Sequence, residues 1–310
     1  MTTAYSAAID TSDIEISFAT EATWGTSPAS GFTALRLTGE SLSESKQRNR
    51  PQEINPSGVV SHAITTQVGV EGAINIALSA STFDDFFAAA VNGAWATTHL
   101  ENDVPPTITT FSIQKKLAAA LWLHYKGCYV TGFSLNASVG GFVEGSFNLM
   151  AKSEVNATAA LGGTVTPAAT GRVMDTVAGV ANIEIAGVPV TVPIQSIQLN
   201  VTKNGARSQF AIGSSAAQGI GRGTLDVNGS LVMYFKDFTQ YSLYKAETDV
   251  SLNFDLTDDT GAGYTFTLPV VTLMNPTIVA GGPDSDVMAE FQLEGNPDAT
   301  NIILEMDILT

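Results

Sequence analysis

The stretch Val70-Glu71-Gly72-Ala73-Ile74-Asn75-Ile76-Ala77-Leu78 places an apolar residue or glycine at every second position and a small or polar one between. That is the period of a strand with one face in a core and the other in water or at an interface. Val227-Asn228-Gly229-Ser230-Leu231-Val232-Met233-Tyr234-Phe235 repeats the pattern at each apolar or glycine position. Outward from these two runs, alternation marks further strands over 14–18, 34–37, 109–114, 129–137, 142–151, 183–185, 194–201, 250–256, 264–268, 271–279, 287–293 and 302–308. Helix is expected in two places. Ser81 or Thr82 as N-cap, Asp84 and Asp85 in the first turn, Phe83, Phe86, Phe87, Ala90 and Val91 at helical spacing, and Asn92-Gly93 as the stop define the first. Tyr241, Leu243, Tyr244 and Ala246 define a shorter second. The chain reads as all-β, with each aromatic helix packed over a sheet.

The two halves match in order as well as in these strands. Val130-Thr131, Gly140-Gly141 and Phe147-Asn148-Leu149 lie over Val271-Thr272, Gly281-Gly282 and Phe291-Gln292-Leu293, and Ile14-Glu15-Ile16 over Ile183-Glu184-Ile185. An internal duplication is expected. It divides the chain into a first β domain over 1–155, an Ala/Gly/Thr/Pro-rich linker over 156–170 and a second β domain over 171–310.

Only 14% of the 310 residues are charged, and 30 acids against 14 bases leave a formal charge of −16. Affinity for nucleic acid rests on Lys and Arg meeting phosphates, so this balance argues against a nucleic-acid binder and against an anionic membrane surface. The same acidity suits a wall along which DNA slides without sticking. Cys128 is the single cysteine and has no partner for an intramolecular disulfide, which fits a reducing compartment. The N-terminal residues lack a basic, then apolar, signal pattern, and the longest apolar run, 117–123, is too short to span a bilayer, so a soluble product made in a cytoplasm is expected.

Residues that could carry chemistry do not assemble into a site. His62, His99 and His124 have no metal-ligand spacing. No Gly-x-Ser-x-Gly elbow occurs, and Gly219-Ile220-Gly221-Arg222-Gly223 lacks the Lys-Ser/Thr pair of a phosphate loop. Asp255, Asp258, Asp259 and Gly261, like Asp284 and Asp286, sit between strand runs and read as hairpin turns. Neither an enzyme nor a cofactor or metal is expected.

Each half instead carries a long polar stretch, 43–67 and 202–223, read as a loop. Loops of this length in compact domains are commonly functional. Six of the 14 bases lie on them: Lys46, Arg48 and Arg50, near Glu53, on the first, and Lys203, Arg207 and Arg222 on the second. Positive fingers on a negative body are expected to reach a neighbouring copy and pair with its acids, giving head-to-tail assembly.

The run Leu35-Arg36-Leu37-Thr38-Gly39-Glu40-Ser41-Leu42-Ser43-Glu44-Ser45-Lys46, then Arg50-Pro51-Gln52-Glu53-Ile54-Asn55, the strand from Val70, and Thr82-Phe83-Asp84-Asp85-Phe86-Phe87 resemble the tail tube (major tail) proteins of siphophages, with Tyr129 to Leu135 and Gly145 to Leu149 extending the likeness. The resemblance implies a β-sandwich or rolled barrel with one flanking helix and a protruding inter-ring loop. It implies rings of six domains, hence three copies of a duplicated chain per ring with a hexamer as the alternative, stacked into a hollow tube in the virion. The tube is assembled in the host bacterial cytoplasm, and DNA passes through its lumen without specific binding. A tape-measure protein, a tail terminator and a distal tail protein are the further partners it implies. A capsid decoration protein or β-rich surface adhesin is the alternative function.

Overall fold

The computed structural model describes residues 9–177 and 179–310. The first half runs β1 (Glu15–Thr20), β2 (Thr33–Ala34), β3 (Gly39–Glu40), β4 (Ser43–Asn49), β5 (Ile64–Ala77), α1 (Asp84–Val91), β6 (His99–Glu101), β7 (Phe111–Ala118), β8 (Leu121–Ser138), β9 (Glu144–Ala151) and β10 (Ser153–Ala157). The second runs β11 (Val180–Ile185), β12 (Val188–Pro189), β13 (Ile194–Asn204), β14 (Arg207–Gln209), β15 (Gly219–Gly221), β16 (Thr224–Tyr234), α2 (Thr239–Lys245), β17 (Val250–Thr257), β18 (Gly263–Ala280), β19 (Val287–Asn296) and β20 (Glu305–Leu309). The fold is all-β, as expected, with antiparallel ladders throughout the named strands and short α-helices at the two expected places.

The succession of paired strands is the same in both halves: β4, β5, β9, β8, β7, β1 in the first and β13, β16, β19, β18, β17, β11 in the second. Register agrees too. Ile74 lies opposite Phe147 as Leu231 lies opposite Phe291, and Gly72 faces Leu149 as Gly229 faces Leu293. The ladders do move one detail of the sequence comparison. Val130 faces Leu149 and Leu273 faces Leu293, so Val130 corresponds to Leu273 and not to Val271. A shift of two residues leaves every side chain on its face, which is why alternation alone could not detect it.

β8 and β18 each serve two layers. The first part of β8 lies between β7 and β10, and its last part pairs with β9 and with β13 of the other half. In that seam Leu199 lies opposite Leu135 and Val201 opposite Phe133. One continuous eight-stranded ribbon results, ordered β4, β5, β9, β8, β13, β16, β19, β18. A second ladder, β6 on β20, joins the halves elsewhere, with the His99 side chain 2.8 Å from Asp307.

The aromatic spacing of α1 is explained by what it covers. Phe83, Phe86 and Phe87 are fully buried. Phe86 stacks on Phe111, while Phe87 meets Phe133 and Phe147 of the first half and Tyr264 of the second edge-on, with centroids 5.2–5.4 Å apart. One core therefore runs beneath the seam. The start of α1 differs from expectation: Phe83 is the N-cap and gives no side-chain bond. Ser81 takes a left-handed turn, with its N–H given to Tyr264 Oη, and Thr82 Oγ1 is engaged with Ser79 Oγ.

Other expectations are adjusted by the ladders. The runs 264–268 and 271–279 form one strand, β18. Of 302–308 only the part from Glu305 is strand, because Ile302, Ile303 and Leu304 are buried ahead of it without a ladder. The 43–67 stretch is largely a hairpin, since Ser43–Asn49 pairs along β5.

Gly72 and Gly229 occupy matching places for a steric reason. A Cβ on Gly72 would stand 2.6 Å from the Leu42 backbone, and one on Gly229 2.2 Å from the Gln198 carbonyl oxygen. Gly229→Ala is expected to cost about 1–3 kcal/mol by forcing β13 away from β16. Ser230→Ala, on the solvent face of the same strand, should stay within about 0.5 kcal/mol. Urea unfolding of the two variants checks the contrast.

Candidate functional site

Between its two border strands, the inner face of the ribbon is apolar and buried, and the outer face is polar and carries one sign of charge. Across β5, β9, the end of β8, β13, β16 and β19, the outward rows include Glu71, Asn75, Glu144, Asn148, Asn136, Gln198, Asn228, Glu290, Gln292 and Glu294. No Lys or Arg stands on this face of those stretches: the one base in them, with β8 counted from Tyr129, is Lys203, which points to the other side. Such a surface offers phosphates amides, hydroxyls and carboxylates, but no cation to hold them. Sequence alternation gives each strand's polar face. Only the ladders place the strands side by side as one wall.

The wall has two open borders. β4 pairs with β5 on one side, and no ladder covers its other side among the described residues. β18 pairs with β17 and β20 only up to Val271, so 272–280 has a ladder with β19 on one side and, among the described residues, no ladder on the other. Ile278 and Val279 are exposed there. Unpaired edges of this kind invite another strand.

At the closed seam, Lys203 shows what covers such an edge. Its side chain is 4% exposed and its Nζ donates to Ala89 O at 2.6 Å, Asn92 Oδ1 at 2.7 Å and Val130 O at 2.9 Å, while lying over the Tyr129 ring at 4.1 Å. Burial pulls its pKa down from the usual amine value. Three acceptors oppose that shift, because only the ammonium form has three N–H to give. Asn92 is held for this contact by its place as the left-handed residue that ends α1, with Gly93 N–H returning to Ala88 O at 3.0 Å. Asn92-Gly93 therefore stops the helix, as its sequence implies, and also presents an acceptor to the other half.

The residues expected on the loops separate. Lys203 is not a loop cation: it lies in β13 and is consumed inside the chain, since an ammonium at the seam meets carbonyls that a loop tip does not offer. Lys46, Arg48 and Arg50 lie on or at the end of β4 and are exposed, Lys46 paired with Glu44 at 3.0 Å and Arg48 donating to Ala63 O at 2.8 Å across the hairpin. Glu53 accepts from Ser61 Oγ near the tip. Arg207 and Arg222 flank the small β14–β15 hairpin, where Arg222 O lies 3.1 Å from Tyr129 Oη. The two projections touch through Val68 N–H and Ser215 O. The first tip exposes Ile54 completely, with Val59 and Val60 largely bare, so it carries apolar as well as basic contacts, which a reading of charge alone overlooks.

Groups considered for chemistry fall into structural places. Cys128 is buried, and burial raises its thiol pKa, which keeps it unreactive. Asp258 caps the β17–β18 turn by accepting from Thr260 and Ala262. His124 is buried beside β10, and His62 is exposed on β5's approach. Among the described residues no three His, Cys, Asp or Glu side chains converge as a metal site, and no helix is long and apolar enough to cross a membrane.

A one-sided acidic wall with two open edges and projecting tips is built for assembly. Residues 11–295 match the family described as phage tail tube protein. The chain belongs to this family. It is a structural component of a phage tail, hence of the virion, and the family's role is self-assembly into a tube. No curated protein matches the sequence. In this tail tube protein, Lys203→Met should lose about 2–4 kcal/mol in urea unfolding, because Ala89 O and Val130 O lose the ammonium donor and Asn92 Oδ1 keeps only Tyr129 Oη.

Proposed function

We propose that this tail tube protein polymerises head to tail into rings of three chains, and that the rings stack into the tube of a long-tailed siphophage. Each chain then brings two copies of one module, so that three ribbons of eight strands close into a wall of six modules. The observation that carries the reading is the seam. The edge that β13 presents to β8 within the chain is presented by β4 to solvent, and the border of β8 that receives it recurs, uncovered, at the end of β18. A contact already made once inside the molecule is thus left open at both ends of it. Heterologous contacts of this kind close into rings when the rotation between units permits.

In this reading the polar, acid-bearing face of the ribbon lines the bore, and same-sign repulsion lets DNA pass at ejection without adhering. The basic and apolar tip from Arg50 to His62 reaches the next ring. No catalytic step is involved. The tape-measure protein would occupy the bore during assembly in the host cytoplasm, and the terminator and distal tail proteins would cap the two ends.

Negative-stain class averages and native mass spectrometry of purified protein test this. Rings of three chains, stacked into hollow tubes, are expected. Deleting 51–62 with a short Gly-Ser closure should leave rings that no longer stack. Six chains per ring, or a dispersed monomer at high concentration, would overturn the proposal.

A further inference from the structure

The Lys203 anchor has a counterpart that within the chain stays at the surface, paired with Glu44 two residues before it. Leu199 faces Gly229 on β16, and Leu42 lies against Gly72, which matches Gly229. By the same spacing Glu44 faces Val70 as Val201 faces Val227, and Lys46 faces Val68 as Lys203 faces Leu225. Lys46 is therefore the positional equivalent of Lys203, on the same side of its strand. Its side chain is 58% exposed where that of Lys203 is buried.

The receiving pocket is also duplicated. α1 and α2 both begin after a phenylalanine, Phe83 and Phe238. Asn92 ends α1 in the left-handed region at φ +58, and Glu247 stands in the same region at φ +48. Gly93 N–H returns to Ala88 O at 3.0 Å, and Thr248 N–H returns to Leu243 O at 3.1 Å. Glu247 thus occupies the place of Asn92, with Tyr244 in the place of Ala89. Leu273 stands in the place of Val130, as their shared position opposite Leu149 and Leu293 shows. Where the inner pocket offers Lys203 an amide, the outer one offers a carboxylate.

The apolar surroundings agree. α1 buries its aromatics against Tyr264 of the second half, whereas α2 has no buried residue and leaves Phe238 62% exposed in a ladder with Phe235, Tyr241 and Tyr244. The first-half residue matching Tyr264 is Leu121, which is 52% exposed. Both members of an α1-type contact are present and apart.

We propose that Lys46 of one copy seats on the end of α2 of the next, pairing with Glu247 and the carbonyls of Tyr244 and Leu273, and so sets the register of the joint between chains. Transfer of the β13–β8 register places Leu42 opposite Ile278 and Ser43 opposite Thr277 of the neighbouring copy. Pro276, opposite Glu44, donates no hydrogen bond, which leaves the charge pair to fix the ladder where its backbone is weakest. This rests on the ring assembly proposed above and names its lock.

Wild type, Lys46→Glu, Glu247→Lys and the exchanged double variant are compared by sedimentation and negative stain, with circular dichroism to verify the fold, since both positions are exposed. Each single variant is expected to need about tenfold or more protein to polymerise, because it sets like charges together in a desolvated joint. The double variant should return to within about threefold of wild type. Zero-length carbodiimide coupling of assembled wild type, which needs no substitution, should yield a Lys46–Glu247 cross-link between chains. Single variants that polymerise like wild type, an exchange that rescues nothing, or assembled tubes without that cross-link would overturn the lock while leaving the ring reading intact. A wild type that forms no ring at all would sink both.

Discussion

A strand edge has hydrogen-bonding groups that must find partners, and the arrangement of this molecule follows from where that requirement is met. Along β8 it is met by β13, across a seam that also buries Lys203 and runs over the aromatic floor of α1. The seam makes one ribbon out of two half-sheets and gives the polar face its continuity. Without it the halves would be two small sheets with four loose borders. With it, two borders remain, and they are at opposite ends of the ribbon.

Charge is distributed in keeping with that division. The acids of the polar face stand in rows with Asn, Gln and Ser, with no base among them, while the exposed bases of the first half gather on β4 and its tip, at a border. A low-charge, one-signed wall and a basic rim are separate surfaces with separate physical consequences: the first repels phosphate, and the second seeks carboxylates. Burying Lys203 removes one base from the rim and makes it part of the core.

Helix α1 and helix α2 show how context changes the state of a similar segment. Each begins after a phenylalanine and ends near a left-handed residue. α1 has the second half of the chain over it and is among the most buried parts of the molecule; α2 has no such cover and keeps its rings in partial contact with one another at the surface. The difference is one of neighbours more than of local propensity, as tertiary burial commonly overrides it.

Period-two alternation made the all-β class, most strands and the matched strands around Val70 and Val227 legible, because a side chain's face on a strand depends only on its parity, and the two helices were legible from aromatic residues at helical spacing. Family resemblance in the first half was legible for the same reason, being carried by contiguous runs. Sequence did not reveal that 43–49 is a strand, since its charged residues lack a buried face and it is ordered by β5 beside it. Nor did it separate Lys203 from Lys46: equal in strand position and alike in composition, they differ in that one has β8 and α1 packed against it and the other faces water. Parity is a property of the chain, and burial of a charge is a property of what the rest of the chain brings alongside, so the former was fixed by the residues themselves and the latter by the tertiary fold alone.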